Sequence, residues 1–479
     1  MPDTPPLPHK HSFESLSERY GARYKWLVLF AVAFGGIAGV LSTSSMNVAI
    51  PSIGQQFGLG QDKVQWAITG FMAPMPLSML PTPWLLDRLG FRRCFPGAIA
   101  VLAASSALGA LATNFAWLVA MRIVQGAAAG ILQPLGAVAV MRLFPVESQG
   151  RASGILGFSI VLAPAVAPTL GGMLLDRFGW EAIILANLPF CLIAGVAGMA
   201  LLPHPRELKN TRFDWFGAGT LGLATLCAIE GITSVHGHGL TSPWTLSLLG
   251  LATLALVLFV RHARRAQAPI IAPTLFANRA FTMGTLVSLT YGFGMYASTY
   301  LIPVFLQSAL GYSATRAGLA LLPAGLVLAL VIPLGGRMAD RYPPHRVTML
   351  GLAVFGLSFL LLAVIGGRIA YDEMIWVTAL GRLGLALILP ALSLAALRGM
   401  TAHQLGQSSV VVSYVRQLGG VLGIAVSSVF VEWRETAYGA VGPGAYADSF
   451  MLLAVVFVVA LAAASRMTPH AEKVRKAAS

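Results

Sequence analysis

Charge is what this sequence has least of. Only 10% of its 479 residues are Asp, Glu, Lys or Arg, while 56% are hydrophobic. A soluble domain carries about 25% charge, so the chain lacks the polar surface that water demands and reads as an integral membrane protein. Lysine is scarce, and none of the six follows a glycine as a phosphate-binding loop requires, so the chain shows no ATPase of its own. Cysteine occurs three times, as Cys94, Cys191 and Cys227, at no metal-ligand spacing; these read as small buried thiols. His236 and His238 in "HGHG" have no second ligand pair nearby. "GPGAYA" (442–447) lacks the strand and βαβ unit of a dinucleotide site. Neither GxSxG nor HExxH occurs, so a hydrolase has no nucleophile or metal centre here. Nothing calls for an enzyme, a cofactor or a metal.

What the chain has instead is long apolar runs without alternation. A helix needs about 20 apolar residues to cross about 30 Å of hydrocarbon, and runs of this length and pattern exclude a barrel. The sequence predicts an all-α membrane protein with fourteen spans near 25–46, 64–86, 94–113, 117–141, 149–173, 181–202, 214–235, 243–262, 280–306, 313–337, 347–367, 374–398, 405–431 and 448–466. Apart from Arg122, Arg382 and Arg416, 24 Lys and Arg residues fall at or beyond span ends on the face that holds the termini and 5 on the other. That bias puts both termini in the cytoplasm. The net charge of +14 is then topology rather than a nucleic-acid footprint. Residues 1–24 read as a cytoplasmic tail with no cleaved leader and a short surface helix near Phe13–Tyr20. Residues 467–479 read as a second cytoplasmic tail.

One short stretch occurs twice. "WLLDRLGFRR" (84–93) joins the second and third spans, and "GGRMADRYPPHR" (335–346) joins the tenth and eleventh. The matching positions divide the chain into two six-helix halves, 25–202 and 280–466. A linker, 203–279, carries two extra spans at 214–235 and 243–262. Parallel repeats of this kind are a transporter architecture with the substrate near the midplane. Gly90 suits the left-handed turn that ends a helix, and Arg92 and Arg93 suit the headgroups. Asp87 at a helix end suits pairing with those arginines or with a neighbouring helix N-terminus. Asp87, Arg88 and Arg92, with Asp340 and Arg341 in the second copy, are thus candidates for a clasp that holds one conformational state.

With these motifs placed, the chain resembles the major facilitator superfamily, in particular its fourteen-span drug:proton antiporter branch. "WLLDRLGFRR" resembles the loop between helices 2 and 3. "LVAMRIVQGAAAG" (118–130) resembles the helix-4 motif, with Arg122, Gln125 and Gly126 in register. "GFSIVLAPAVAPTLGG" (157–172) is similar to the antiporter motif of helix 5. "MNVAIP" (46–51), "NLP" (187–189), "FDWFG" (213–217) and "RQLGGVLGIA" (416–425) also resemble this branch. The chain departs from it at Ser42, where the branch often has an acid, at Pro83 in place of a glycine, and at Ala163 and Ala167 before the two prolines of helix 5. The missing acid weakens recognition of cations by charge pairing.

Few side chains in the spans can carry chemistry. An ionisable group near the bilayer centre costs at least about 2.5–3.5 kcal/mol, and four look embedded: Arg122, Glu230, Arg382 and Arg416. Arg122 is the leading candidate, since burial cost and resemblance agree. Its charge suits setting the protonation of a nearby carboxylate or holding an anionic group. Glu230 is the one embedded acid and hence the candidate proton site, although it sits in the extra pair of spans. Arg416, about two turns from the cytoplasm, reads as snorkelling. Pro164 and Pro168 with Gly171 and Gly172 mark a bent, closely packed helix, a candidate gating element. Met72 and Met75 suit soft apolar ligands. Tyr296, Tyr300 and Gln307 lie on the span that corresponds to the cavity-lining helix 7 of the resembled superfamily. With Asn47, Gln125 and Arg382 they complete the candidate substrate cavity.

The sequence thus predicts a secondary transporter of a bacterial plasma membrane that exports small amphiphilic molecules in exchange for protons. Its expected partners are a small-molecule substrate, protons and the lipid bilayer; a periplasmic adaptor stays open, and nucleic acid is not expected. Two rival readings stand beside it: a specific transporter of an anionic metabolite, and a membrane sensor that kept the fold without turnover.

Overall fold

The computed structural model describes residues 13–44, 46–59, 64, 66–203, 212–312, 314–365, 370–439 and 442–467, and within that range it contains helices and no strand. Both predicted tails fall largely outside those residues. Numbered in chain order, the α-helices are α1 Phe13–Tyr20, α2 Tyr24–Ser44, α3 Met46–Phe57, α4 Trp66–Met72, α5 Pro74–Met79, α6 Thr82–Leu89, α7 Phe91–Ala110, α8 Phe115–Leu143, α9 Gln149–Phe178, α10 Trp180–Leu185 and α11 Leu188–Leu201. There follow α12 Trp215–His238, α13 Pro243–Ala263, α14 Arg279–Val304, α15 Ala314–Arg341, α16 Pro344–Ile365, α17 Tyr371–Leu397, α18 Ala402–Tyr438 and α19 Pro443–Ala464. Among the described residues, eleven helices are long and apolar enough to cross a membrane. The predicted spans outside those eleven, 64–86, 149–173 and 280–306, coincide with α4–α6, α9 and α14.

Local chemistry explains where elements start and stop. The expected single span over 64–86 is interrupted at Ala73 and again at Leu80–Pro81, because Pro74, Pro76, Pro81 and Pro83 have no N–H to give the helix. The expected loop at 84–93 is reduced to one residue: Gly90, at φ +74°, ends α6, and α7 starts at Phe91. Side-chain oxygens cap three helices. Asn114 accepts from the Trp117 N–H at 2.8 Å, Asp214 from Gly217 at 2.8 Å, and Asn278 from Ala280 at 2.9 Å. Each satisfies a donor that the first turn leaves orphaned. Asp214 also accepts from Ile270 N–H at 3.1 Å and lies 2.7 Å from His262 Nε2, so one carboxylate gathers both ends of the extra helix pair.

The chain forms two compact units. The first is Met1–Phe144 with Ser159–Phe213; the second is Pro145–Phe158 with Asp214–Ser479. The division differs from the sequence expectation of halves at 25–202 and 280–466: the start of α9 belongs to the second unit, and so does the extra pair α12–α13. Thr225 of α12 hydrogen-bonds the Tyr414 hydroxyl of α18, which ties the pair to that unit. In the first unit, α1 is docked rather than loose. Its Leu16 is buried in one cluster with Tyr24, Val28, Phe95 and Leu102, and the Tyr24 hydroxyl donates to Leu201 O at 2.8 Å.

Small residues set the closest helix contacts. In "GAAAG" (126–130), a Cβ on Gly126 would overlap the Phe71 carbonyl, and one on Gly130 the Met75 carbonyl. Without a water-driven hydrophobic effect, such backbone approach is a main source of helix association in lipid. Gly419 and Gly423 of α18 meet the Leu289 and Phe293 carbonyls of α14 in the same way. Gly126→Val is therefore expected to destabilise the first unit by about 3 kcal/mol or more, since backbone cannot move aside. At Gly97 a Cβ would meet nothing within 4 Å, so alanine there should be accepted without loss. Thermal unfolding of the two purified variants checks the contrast.

Candidate functional site

Arg122 lies seven residues into α8, about 10 Å along the helix axis, and is 1% exposed. Its partners come from three elements, α2, α4 and α8 itself. Nε donates to the Ala67 carbonyl of α4 at 2.8 Å. Nη1 donates to the Ser42 carbonyl of α2 at 2.9 Å and to Gln125 Oε1 at 2.8 Å. The Phe71 ring stacks beneath, 4.5 Å from centroid to guanidinium carbon. Gln125 Nε2 in turn donates to Ser105 O of α7 at 3.2 Å. Asn187, at the start of α11 and 1% exposed, donates to Ser42 Oγ at 2.5 Å and Ser106 Oγ at 2.9 Å. One polar cluster thus joins α2, α4, α7, α8 and α11 where the chain is otherwise apolar.

Among the described residues the cluster holds no carboxylate. The guanidinium is stabilised by carbonyl dipoles and a ring face. Ser42, where the resembled branch often has an acid, contributes a backbone oxygen instead. Within the cluster two buried polar atoms have no hydrogen-bond partner among the described residues, Arg122 Nη2 and Asn187 Oδ1. A fixed positive charge with a free donor can hold an oxygen acceptor. It cannot exchange a proton itself, since guanidinium stays protonated.

The two copies of the repeated stretch differ. Asp340, near the end of α15, accepts from the Gly150 N–H at 2.6 Å and the Arg151 N–H at 2.7 Å, the first turn of α9. Gly150 and Gly154 face Gly336 at backbone distance, which lets the carboxylate reach the positive helix end. Arg341 is exposed beside Tyr342. Asp87 has no hydrogen bond or ion pair among the described residues, so the expected pairing with the nearby arginines is absent. Arg92, in the first turn of α7 rather than in a loop, donates to Leu202 O at 2.8 Å and closes the end of α11. Arg88 is exposed over Trp84.

The expected cavity residues are divided between the two units: Asn47, Met72, Met75 and Gln125 belong to the first and Tyr296, Tyr300, Gln307 and Arg382 to the second. Met75 is buried and Met72 half-buried, both on the segments packed beneath α8. Tyr296 donates to Gln417 Oε1 at 3.2 Å, Tyr300 is half-buried, and Gln307 is exposed with Nε2 3.3 Å from Pro303 O. Arg382 is half-buried on α17. Glu230 is exposed on α12 and has no partner among the described residues, so it is not enclosed as an embedded acid would be. Arg416 lies fourteen residues into an unbroken α18, about four turns rather than two from that end, too far to snorkel. Gly171 is buried; the side chains of Asn47, Pro164 and Pro168, and Gly172, lie outside the described residues. Sequence reasoning missed Asn187, Ser105 and Ser106 as partners of this cluster. The signal available was a polar side chain within an apolar span.

A family model for the Major Facilitator Superfamily matches residues 32–424. The chain belongs to that superfamily. Superfamily membership makes it a multi-pass membrane transporter and not an enzyme. It is 31% identical over 412 residues to a multidrug resistance protein B homolog of Mycobacterium tuberculosis (strain CDC 1551 / Oshkosh), covering 83% of this chain and 76% of that one. It is 28% identical over 424 residues to the lincomycin resistance protein LmrB of Listeria innocua, covering 87% and 89%. Among solved structures, the human organic anion transporter MFSD10 aligns with a TM-score of 0.68 at 17% identity over 92% of this chain and 99% of that one. That likeness establishes the superfamily fold and says nothing of the substrate.

Proposed function

We propose that this superfamily member is a fourteen-span exporter of small amphiphilic molecules in a bacterial plasma membrane, with both termini cytoplasmic, working by alternating access in exchange for protons. The observation that carries the reading is the Arg122 cluster: a permanent charge is kept inside an apolar unit with one donor unspent. Packing alone would be served at lower cost by an apolar residue. Relatives named for multidrug and lincomycin resistance support the substrate class, and the 24-to-5 distribution of basic residues supports the orientation.

Coupling to protons requires a group that titrates. Arg122 does not, and Glu230 is exposed with no partner among the described residues. Glu432 and Glu435, half-buried on α18 within electrostatic reach of Tyr300, are better placed, and Glu435 is also within electrostatic reach of Tyr446. In this reading Asp340 is the clasp that holds the start of α9 to the end of α15, both within the second unit, in one of the two states. Proton movement driven by substrate in liposomes tests the proposal.

A further inference from the structure

Two arginines of the second unit have no hydrogen-bonding partner among the described residues. Neither Arg382 nor Arg416 makes a hydrogen bond or ion pair to any described residue. Their depth can be read on three helices. α17 and α18 are joined by residues 398–401, so Leu397 and Ala402 lie at one end, and Asn278 before α14 is there too, 3.6 Å from where a Cβ on Gly399 would be. From that end Arg382 is fifteen residues along α17, Arg416 fourteen along α18 and Tyr291 twelve along α14. At 1.5 Å per residue these are about 22, 21 and 18 Å, one level, well inside a hydrocarbon core about 30 Å thick.

Glycine contacts press α14 against α18 at this level. Gly292 is pressed onto the Arg416 carbonyl, Gly419 onto that of Leu289, and Gly420 onto the Tyr296 ring. Tyr291 lies within electrostatic reach of Arg416, Arg382 and Tyr296, and Gln417 receives the Tyr296 hydroxyl. Glu230 of α12 lies at a similar depth, fifteen residues into that helix, but is exposed and has no partner among the described residues; α14, α17 and α18 place no acid at this level. α14 contains none, Glu373 is nine residues from Arg382, and Glu432 is sixteen from Arg416, about 13 and 24 Å along the axes.

Two guanidiniums that cannot discharge, both within electrostatic reach of the Tyr291 hydroxyl and without a counter-ion among the described residues, are stabilised by an anion that arrives from outside. We propose that Arg382 and Arg416, with the Tyr291 hydroxyl, form the head-group subsite for an oxyanion (carboxylate, sulfonate or phosphate) on an amphiphilic substrate. The inference rests on the exporter reading and narrows it to anionic amphiphiles. It also gives Arg416, which the sequence suggested as a snorkelling residue, a binding role beside Arg382.

The test uses the full chain in lipid nanodiscs and matched probes: naphthalene-1-acetate with naphthalene-1-acetamide, and naphthalene-2-sulfonate with its sulfonamide. At least one anion is expected to bind roughly tenfold tighter than its neutral partner, as charge-assisted hydrogen bonds allow. Arg382→Gln and Arg416→Gln should each weaken that anion roughly tenfold and leave the neutral probe unchanged. Arg382→Lys and Arg416→Lys keep the charge and should retain part of the preference, which keeps the test decisive if a glutamine variant fails to fold. Equal binding of anion and neutral probe, or no anion binding at all, would overturn the subsite. Neutral or cationic amphiphiles still exchanged by liposomes in that case would leave the exporter reading standing; no exchange of any amphiphile would sink that reading instead.

Discussion

Arg122→Ala is expected to reduce coupled transport by roughly 100-fold or more at matched expression. Three donated hydrogen bonds and a ring contact disappear together, each charged bond worth about 1.5–3 kcal/mol. The Ser42 and Ala67 carbonyls then lose the partner that fixes α2 and α4 against α8. Arg122→Lys separates charge from shape. Lysine supplies a point charge, whereas the site uses a planar fork with Nε and Nη1 aimed at different carbonyls. Lysine should therefore recover less than a tenth of the parental rate. Transport in inverted vesicles, with thermal unfolding of the same preparations, checks both. An alanine variant that transports with undiminished proton dependence would make Arg122 a packing residue.

The second large effect belongs to Asp340. Its two oxygens accept from adjacent N–H groups at 2.6 and 2.7 Å. Asp340→Asn keeps one acceptor and turns an amide donor toward the other N–H, a loss of about 2 kcal/mol. A conformational equilibrium shifted by that amount moves about 30-fold. Turnover should fall about tenfold or more while substrate affinity in binding assays stays within about twofold, because the clasp acts on the populations and not on the pocket. Steady-state rates beside equilibrium binding on one preparation check the split. An affinity loss equal to the rate loss would place Asp340 in the binding site.

How much of this is legible in the sequence differs by kind of feature. Helical spans, the membrane as solvent and the Arg122 register are readable, because apolar length and the cost of a buried charge are properties of short segments. The interruptions at Ala73 and Leu80–Pro81 are signalled by four prolines, yet a hydropathy run passes over them. Partners remote in sequence leave no local pattern: Asn187 meets Ser42 across 145 positions. The two copies of the repeated stretch look alike, but only Asp340 finds a helix N-terminus here, since the approach is granted by Gly150, Gly154 and Gly336 together. The depth of Arg416 depends on where α18 begins. A continuous helix from Ala402 moves it from the interface to the interior.

The most direct test of the account is substrate accumulation against a pH gradient. Purified protein is reconstituted in liposomes with an acidic lumen, an amphiphile is added outside, and lumenal pH and lumenal substrate are followed together. The account predicts uptake beyond that of protein-free liposomes, a simultaneous substrate-dependent rise of lumenal pH, no accumulation once a protonophore has collapsed the gradient, and neither uptake nor the substrate-dependent pH rise in Arg122→Ala liposomes. Substrate that merely equilibrates across the membrane while the pH trace stays at its protein-free course would contradict it.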